Sequence, residues 1–164
     1  MAASRDDRAR FRDNGRMDVV ADLACDASPE EVYAVVADLT TYPRWLDIVS
    51  RVELDDRGGT GESGSGWYID LRGQIGPLRR SKRLRMVRAI DRVDHVRFER
   101  DELDGRRHSE WVLDAVIVAR RDGCVLSMSL HYGGALWLPV LDRLLADEIE
   151  RSRPRLAELL EHHR

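Results

Sequence analysis

Lysine is almost missing from this 164-residue chain: Lys82 is the sole lysine among 27 basic residues. The other bases are arginine, an excess that reads as compositional bias rather than chemistry. Charge of one sign is missing too. With 30 acidic residues against 27 basic ones the net charge is −3, so no global field favours nucleic acid or an anionic membrane as a partner. Long apolar runs are also lacking. The longest, Ala135 to Leu141, falls far short of the ~20 residues that cross a bilayer, which excludes stable membrane insertion. Residues 1 to 16 mix five arginines with three aspartates around no apolar stretch, so they are not a secretory signal. Residues 1–15 read as a disordered arm and 16–164 as a single domain, long enough to bury roughly 70% of its unfolded surface. Cys25 and Cys124 are the only cysteines. Each lies in an apolar, strand-like segment, which suits two reduced, buried thiols in a cytoplasmic protein and leaves a disulfide between them open.

What is present begins with a well-signed helix. Ser28 before Pro29 supplies an N-cap and a first-turn proline, and Glu31 completes a capping box near the positive helix end. Val32, Val35, Val36 and Leu39 then form one apolar stripe over three turns. Tyr42-Pro43-Arg44-Trp45 follows as a proline break and an aromatic anchor. Trp45 reads as a packing residue covering the sheet end rather than as a ligand contact.

Around this helix the chain reads as strands. Met17 to Cys25 is the first and Ile48 to Asp55 the second. Trp67 to Ile75 alternates Trp67, Ile69 and Leu71 against Tyr68, Asp70 and Arg72. Arg80 to Ile90 sets Leu84, Met86 and Ile90 on one face. His95 to Glu102 precedes Asp104-Gly105, and a strand carrying Trp111, Leu113, Ala115 and Ile117 precedes Asp122-Gly123, two dipeptides that favour tight hairpins. The next strand alternates Leu126, Met128, Leu130 and Tyr132 against Ser127, Ser129 and His131. A meander of antiparallel strands is the expected result. After Gly133-Gly134 the period changes: Leu141, Leu144, Leu145, Ile149, Ser152, Leu156, Leu159 and Leu160 make a long helical stripe. Pro139 suits its first turn. Pro154 lies in its interior, where a bend near Glu150 to Pro154 is expected.

Motifs that carry chemistry are few. Gly59-Thr60-Gly61-Glu62-Ser63-Gly64 matches a dinucleotide fingerprint in letters, but a period-two strand rather than a helix follows, so the segment reads as a loop and no cofactor is expected. Residues 79–88 hold six bases and no acid. Alternation places Arg83 and Arg85 opposite Leu84 and Met86, as a solvated face able to pair with Glu99 and Asp101. The alternative for that face is contact with a phosphate, an acyl-carrier protein or RNA. His95, His108 and His131 sit on different strands without metal-ligand spacing, so no metal is expected. No Gly-x-Ser-x-Gly elbow exists, and neither cysteine has an electropositive setting, so nucleophilic hydrolysis has no support.

The order of a strand, short helices, many antiparallel strands and a long C-terminal helix resembles the START-like (SRPBCC) superfamily of polyketide cyclases and lipid-transfer proteins. The words that carry the resemblance are Ser28-Pro29-Glu30-Glu31-Val32-Tyr33 and Tyr42-Pro43-Arg44-Trp45. It implies an α+β helix-grip fold: a curved antiparallel sheet wrapped around the C-terminal helix, with two short helices after the first strand. It also implies a hollow between sheet and helix. The residues expected on the concave side are Trp67, Ile69, Leu84, Met86, Phe98, Trp111, Leu113, Met128, Leu130 and Tyr132, with Leu141 and Leu145 from the helix and Arg100, Ser109 and Tyr132 as convergent polar groups. They serve either as ordinary core or as walls of a ligand cavity. The implied function is binding or transport of a hydrophobic small molecule of lipid, polyketide or isoprenoid type. The alternatives are a polyketide aromatase/cyclase, in which Tyr132, Arg100 or His108 would move protons on a poly-β-keto chain, and a protein-interaction module. A homodimer and an acyl-carrier protein remain open as partners.

Overall fold

A computed structural model of the chain describes residues 17–56, 66–75, 78–134 and 138–162. The N-terminal arm, the glycine motif at 59–64 and Gly76-Pro77 lie outside the described residues. Among the described residues there are seven strands: β1 (Met17–Cys25), β2 (Val49–Asp55), β3 (Gly66–Ile75), β4 (Leu78–Arg92), β5 (His95–Arg100), β6 (Trp111–Arg120) and β7 (Gly123–Tyr132). They form one antiparallel sheet in the order β1-β7-β6-β5-β4-β3-β2. Strands β2 to β7 are thus a plain meander, and β1 returns to pair with β7 from Met17↔Tyr132 to Cys25↔Cys124.

Between β1 and β2 the chain makes helix α1 (Pro29–Val36) and a 3₁₀ helix (Leu39–Arg44). The capping box is complete: the Glu31 N–H donates to Ser28 Oγ at 3.2 Å and the Ser28 N–H donates to Glu31 Oε2 at 2.7 Å. The stripe expected over three turns is divided. Asp38 accepts the Thr40 N–H at 2.9 Å and caps a new, tighter helix, so Leu39 belongs to the second element. Val32, Val35 and Val36 are fully buried against the sheet. The long C-terminal helix α2 (Leu138–Glu161) carries Pro139 in its first turn and runs unbroken through Pro154. Its residues Leu145, Ser152, Leu156, Leu159 and Leu160 are buried.

Two details differ from the alternation of the sequence. Register slips between Arg88 and Ile90. Arg88, before the slip, keeps the concave parity of Leu84 and Met86 opposite Phe98, whereas Ile90 stands opposite Arg97 on the convex side; a bulge of one residue reverses every side chain beyond it. The second difference is Arg85. It alternates out of the concave face as expected, yet only 7% of its side chain is exposed. Its Nε donates to Asp55 Oδ2 at 2.7 Å and its Nη1 to the Asp101 carbonyl at 2.9 Å. The expected solvated residue is thus a buried ion pair, covered on one side by Gly66, where a Cβ would lie 2.8 Å from Arg85 Nη2. Arg83 is the exposed member of the pair. It binds Asp70 at 3.0 Å and also Glu53, and Glu99 is taken by Arg97 at 2.6 Å.

Candidate ligand-binding site

The concave side of the sheet and α2 enclose a cavity of about 170 Å³. Alternation along four strands builds one wall: Ile69 and Leu71 from β3, Leu84 and Met86 from β4, Trp111 and Leu113 from β6, and Met128 and Leu130 from β7. Leu145, Ile149 and Leu156 on α2 form the opposite wall. The 3₁₀ helix and the residues after it close one end with Tyr42, Trp45 and Ile48.

Eight residues expected on the concave side therefore meet around the hollow: Ile69, Leu84, Met86, Trp111, Leu113, Met128, Leu130 and Leu145. Five others do not line it. Trp67 and Phe98 stack edge to face with ring centroids 5.5 Å apart and belong to the core cluster that includes α1. Tyr132 packs behind Trp111 at 4.9 Å. Arg100 is held by Glu102 at 2.7 Å, by the Ser109 carbonyl at 3.3 Å and beside His108 Nδ1 at 3.2 Å. Ser109 thus contributes its backbone rather than its hydroxyl. Parity alone could not separate the two groups, because a concave face holds both cavity wall and packed core. The side chain of Leu141 lies outside the described residues.

Sequence reasoning missed the end wall and the polar side of the cavity. Trp45 is 3% exposed and lines the hollow, so the aromatic taken only as an anchor is also a wall residue. Its ring lies 4.7 Å from that of Tyr42. Burial, with Asp38 adding to it, pushes the Tyr42 hydroxyl far above the usual tyrosine range; it stays protonated and donates to the Val36 carbonyl at 2.9 Å. Glu148 is 3% exposed and also lines the cavity. Its carboxylate accepts the Ile48 N–H at 3.2 Å and Arg151 Nη2 at 3.2 Å, tying the 3₁₀ region to α2. The signal for Glu148 was in the sequence, since it falls between Leu145 and Ser152 at helical spacing. A buried charge among leucines is easily passed over when only apolar residues are counted.

Lys82 stands beside this wall. It occupies the concave parity of β4, opposite Leu71, with its ammonium 5.7 Å from the Trp111 ring centroid and 5.8 Å from that of Tyr132. Desolvation and then the nearby Arg100 charge hold its pKa below the ordinary lysine value, against a smaller pull from Glu102. Among the described residues no group of three or more His, Cys, Asp or Glu side chains is arranged to hold a metal ion.

A seven-stranded antiparallel sheet gripping one long helix defines the START-like helix-grip class. The chain belongs to the polyketide cyclase/dehydrase and lipid transport family, whose match covers residues 16–161. Solved structures agree on the fold. The di-domain aromatase/cyclase StfQ of the steffimycin biosynthetic pathway superposes with a TM-score of 0.64 at 14% identity, over 90% of this chain and 51% of that one, so the chain spans about half of that protein. The Zhui aromatase/cyclase from Streptomyces sp. R1128 gives 0.64 at 11% identity, over 89% of this chain and 94% of that one. A STAR-related lipid transfer protein from Xanthomonas axonopodis gives 0.61 at 15% identity, over 94% of this chain and 98% of that one. No curated protein matches the chain in sequence. No helix among the described residues is long and apolar enough to cross a membrane.

Proposed function

We propose that the protein binds and carries a hydrophobic small molecule of lipid, polyketide or isoprenoid type in the cavity between the sheet and α2. The observation that carries this reading is the hollow itself: about 170 Å³ walled mainly by aliphatic and aromatic side chains. Close-packed interiors tolerate few voids of that size, and an apolar cavity of roughly 150 Å³ is enough to take up benzene. The space as it stands suits a ring-sized body, and a longer guest requires α2 to move outward.

The cyclase reading asks for Tyr132, Arg100 or His108 beside the guest. None of them lines the hollow, and Arg100 is already engaged by Glu102, Ser109 and His108, so the carrier reading has the stronger support. The interaction-module reading asks for a filled core, against the open volume. Native mass spectrometry of freshly purified protein should show about one retained small molecule per chain. Leu113→Trp or Met128→Trp, each filling the wall, should abolish uptake of a hydrophobic probe while the far-UV circular dichroism and the melting transition persist. If both variants unfold, the hollow has no room to spare and the carrier reading fails.

A further inference from the structure

Polar groups on the concave side are unevenly matched. The indole Nε1 atoms of Trp45 and Trp111 are buried without a hydrogen-bond partner, and both residues line the cavity. Each is a donor only, and leaving a buried donor unpaired is costly. Lys82, an exposed residue at the edge of this wall next to Trp111, adds a charged donor. Among the described residues its ammonium has no carboxylate within ion-pairing distance; what lies under it is the Trp111 and Tyr132 rings. The nearby acid, Glu102, is spent on Arg100 at 2.7 Å and on the Arg85 N–H at 3.3 Å. Arg100 is a second positive charge close enough to lower the pKa of Lys82. Around Lys82 the charge is therefore in excess on the positive side; the buried carboxylate of the hollow, Glu148, is engaged by the Ile48 N–H and Arg151, and the indoles left without a partner are donors.

We infer that the guest is an amphiphile with a carboxylate head group, bound by Lys82 over the Trp111 and Tyr132 rings while its apolar body fills the cavity. A carboxylate offers acceptors and no donor, which is the complement of this rim. The aromatic faces under Lys82 hold the ammonium in place. The two rings cover one side of the exposed ammonium, and a charge-assisted contact against them is stronger than one in open water. This inference rests on the carrier reading.

The test compares three probes on the full chain at pH 7 and low salt: 2-naphthoate, its primary amide and naphthalene, which share one apolar body. The naphthoate should bind at least about tenfold more tightly than the amide, and the difference should shrink with added salt. Lys82→Ala should bring naphthoate down to the amide while leaving naphthalene unchanged, and Lys82→Arg should restore most of the preference. Because Lys82 is the sole lysine, acylation by an amine reagent reads it directly by peptide mass, and naphthoate should protect it where naphthalene does not. Equal binding of naphthoate and amide by the unaltered protein, or a preference that survives Lys82→Ala, overturns the head-group inference and leaves the carrier reading standing. Binding of none of the three overturns the carrier reading as well.

Discussion

Arg83 and Arg85 share a strand, a parity and a side-chain type, yet they do different work. Arg85 is enclosed with Asp55, whose side chain is 1% exposed, whereas 45% of the Arg83 side chain faces solvent. Arg85→Ala removes a buried guanidinium bound to Asp55 and to the Asp101 carbonyl and should cost about 3–5 kcal/mol. Arg83→Ala should cost under about 1 kcal/mol. Chemical denaturation of the two variants checks this, and similar midpoints would show that burial of the Arg85 pair adds nothing to stability. Trp45→Ala removes a buried indole and enlarges the hollow, at about 3–5 kcal/mol; a melting point within a few degrees of the unaltered protein would count against that packing role. Cys25 and Cys124 are cross-strand neighbours with free thiols. Burial, then the neighbouring Cys124, pushes the Cys25 thiol up from 9.0 to about 11. The folded protein therefore favours the neutral thiol. That contribution to stability is complete below pH 9 and is lost as pH rises toward 11. A Cys25→Ser variant should show a shallower fall in melting temperature across that window.

At the scale of elements, turns and bulges decide what periodicity cannot. Asp122-Gly123 does mark a tight connection, but the register partners are Arg120 and Gly123, so the glycine sits after the turn rather than within it. Its φ is +117°, and a Cβ there would stand 2.0 Å from the Cys25 carbonyl oxygen. Glycine is required by the close approach of β1 as much as by backbone geometry. Asp104-Gly105, by contrast, lies in a longer loop between β5 and β6, where Gly105 has φ +70° and nothing within 4 Å of a Cβ. Gly123→Ala should therefore destabilise by about 2 kcal/mol or more, and Gly105→Ala by clearly less. Thermal melts that rank them the other way would remove the steric argument. The bulge near Ala89 has a similar local logic. It turns Asp91 inward beside Val96 and brings it to the Tyr33 hydroxyl at 2.6 Å, while Arg88, inward by ordinary alternation, donates from Nη1 to the Ala37 carbonyl at 3.1 Å. Both bonds clamp α1 onto the sheet.

At the scale of the whole molecule, α2 forms the cavity wall opposite the sheet. On the carrier reading a guest larger than the hollow displaces it, and Pro154 weakens it by removing one backbone donor from its interior. Uptake of a hydrophobic probe should slow amide exchange across Leu144 to Leu160, because a filled cavity holds the helix against the sheet. Unchanged exchange on saturation would place the guest elsewhere.

The run of antiparallel strands, the capped helix at Pro29, the concave residues of most strands and the helical stripe of α2 were legible in the sequence alone; the return of β1 to pair with β7 was not. Each rests on a local rule: side chains alternate on a strand, recur every three or four residues on a helix, and a capping box satisfies its own amides. Local rules also placed Ile69, Leu84, Trp111 and Met128 on the side facing α2. Which concave residues wall a hollow and which merely fill the core depended on how α1, the 3₁₀ helix and α2 share that face. The same holds for Arg85, whose exposure is set by Asp55 and Asp101 arriving from other strands, and for Ile90, which one inserted residue turns to the other side. Burial and pairing are relations between distant segments, and only the folded chain brings those segments within reach of one another.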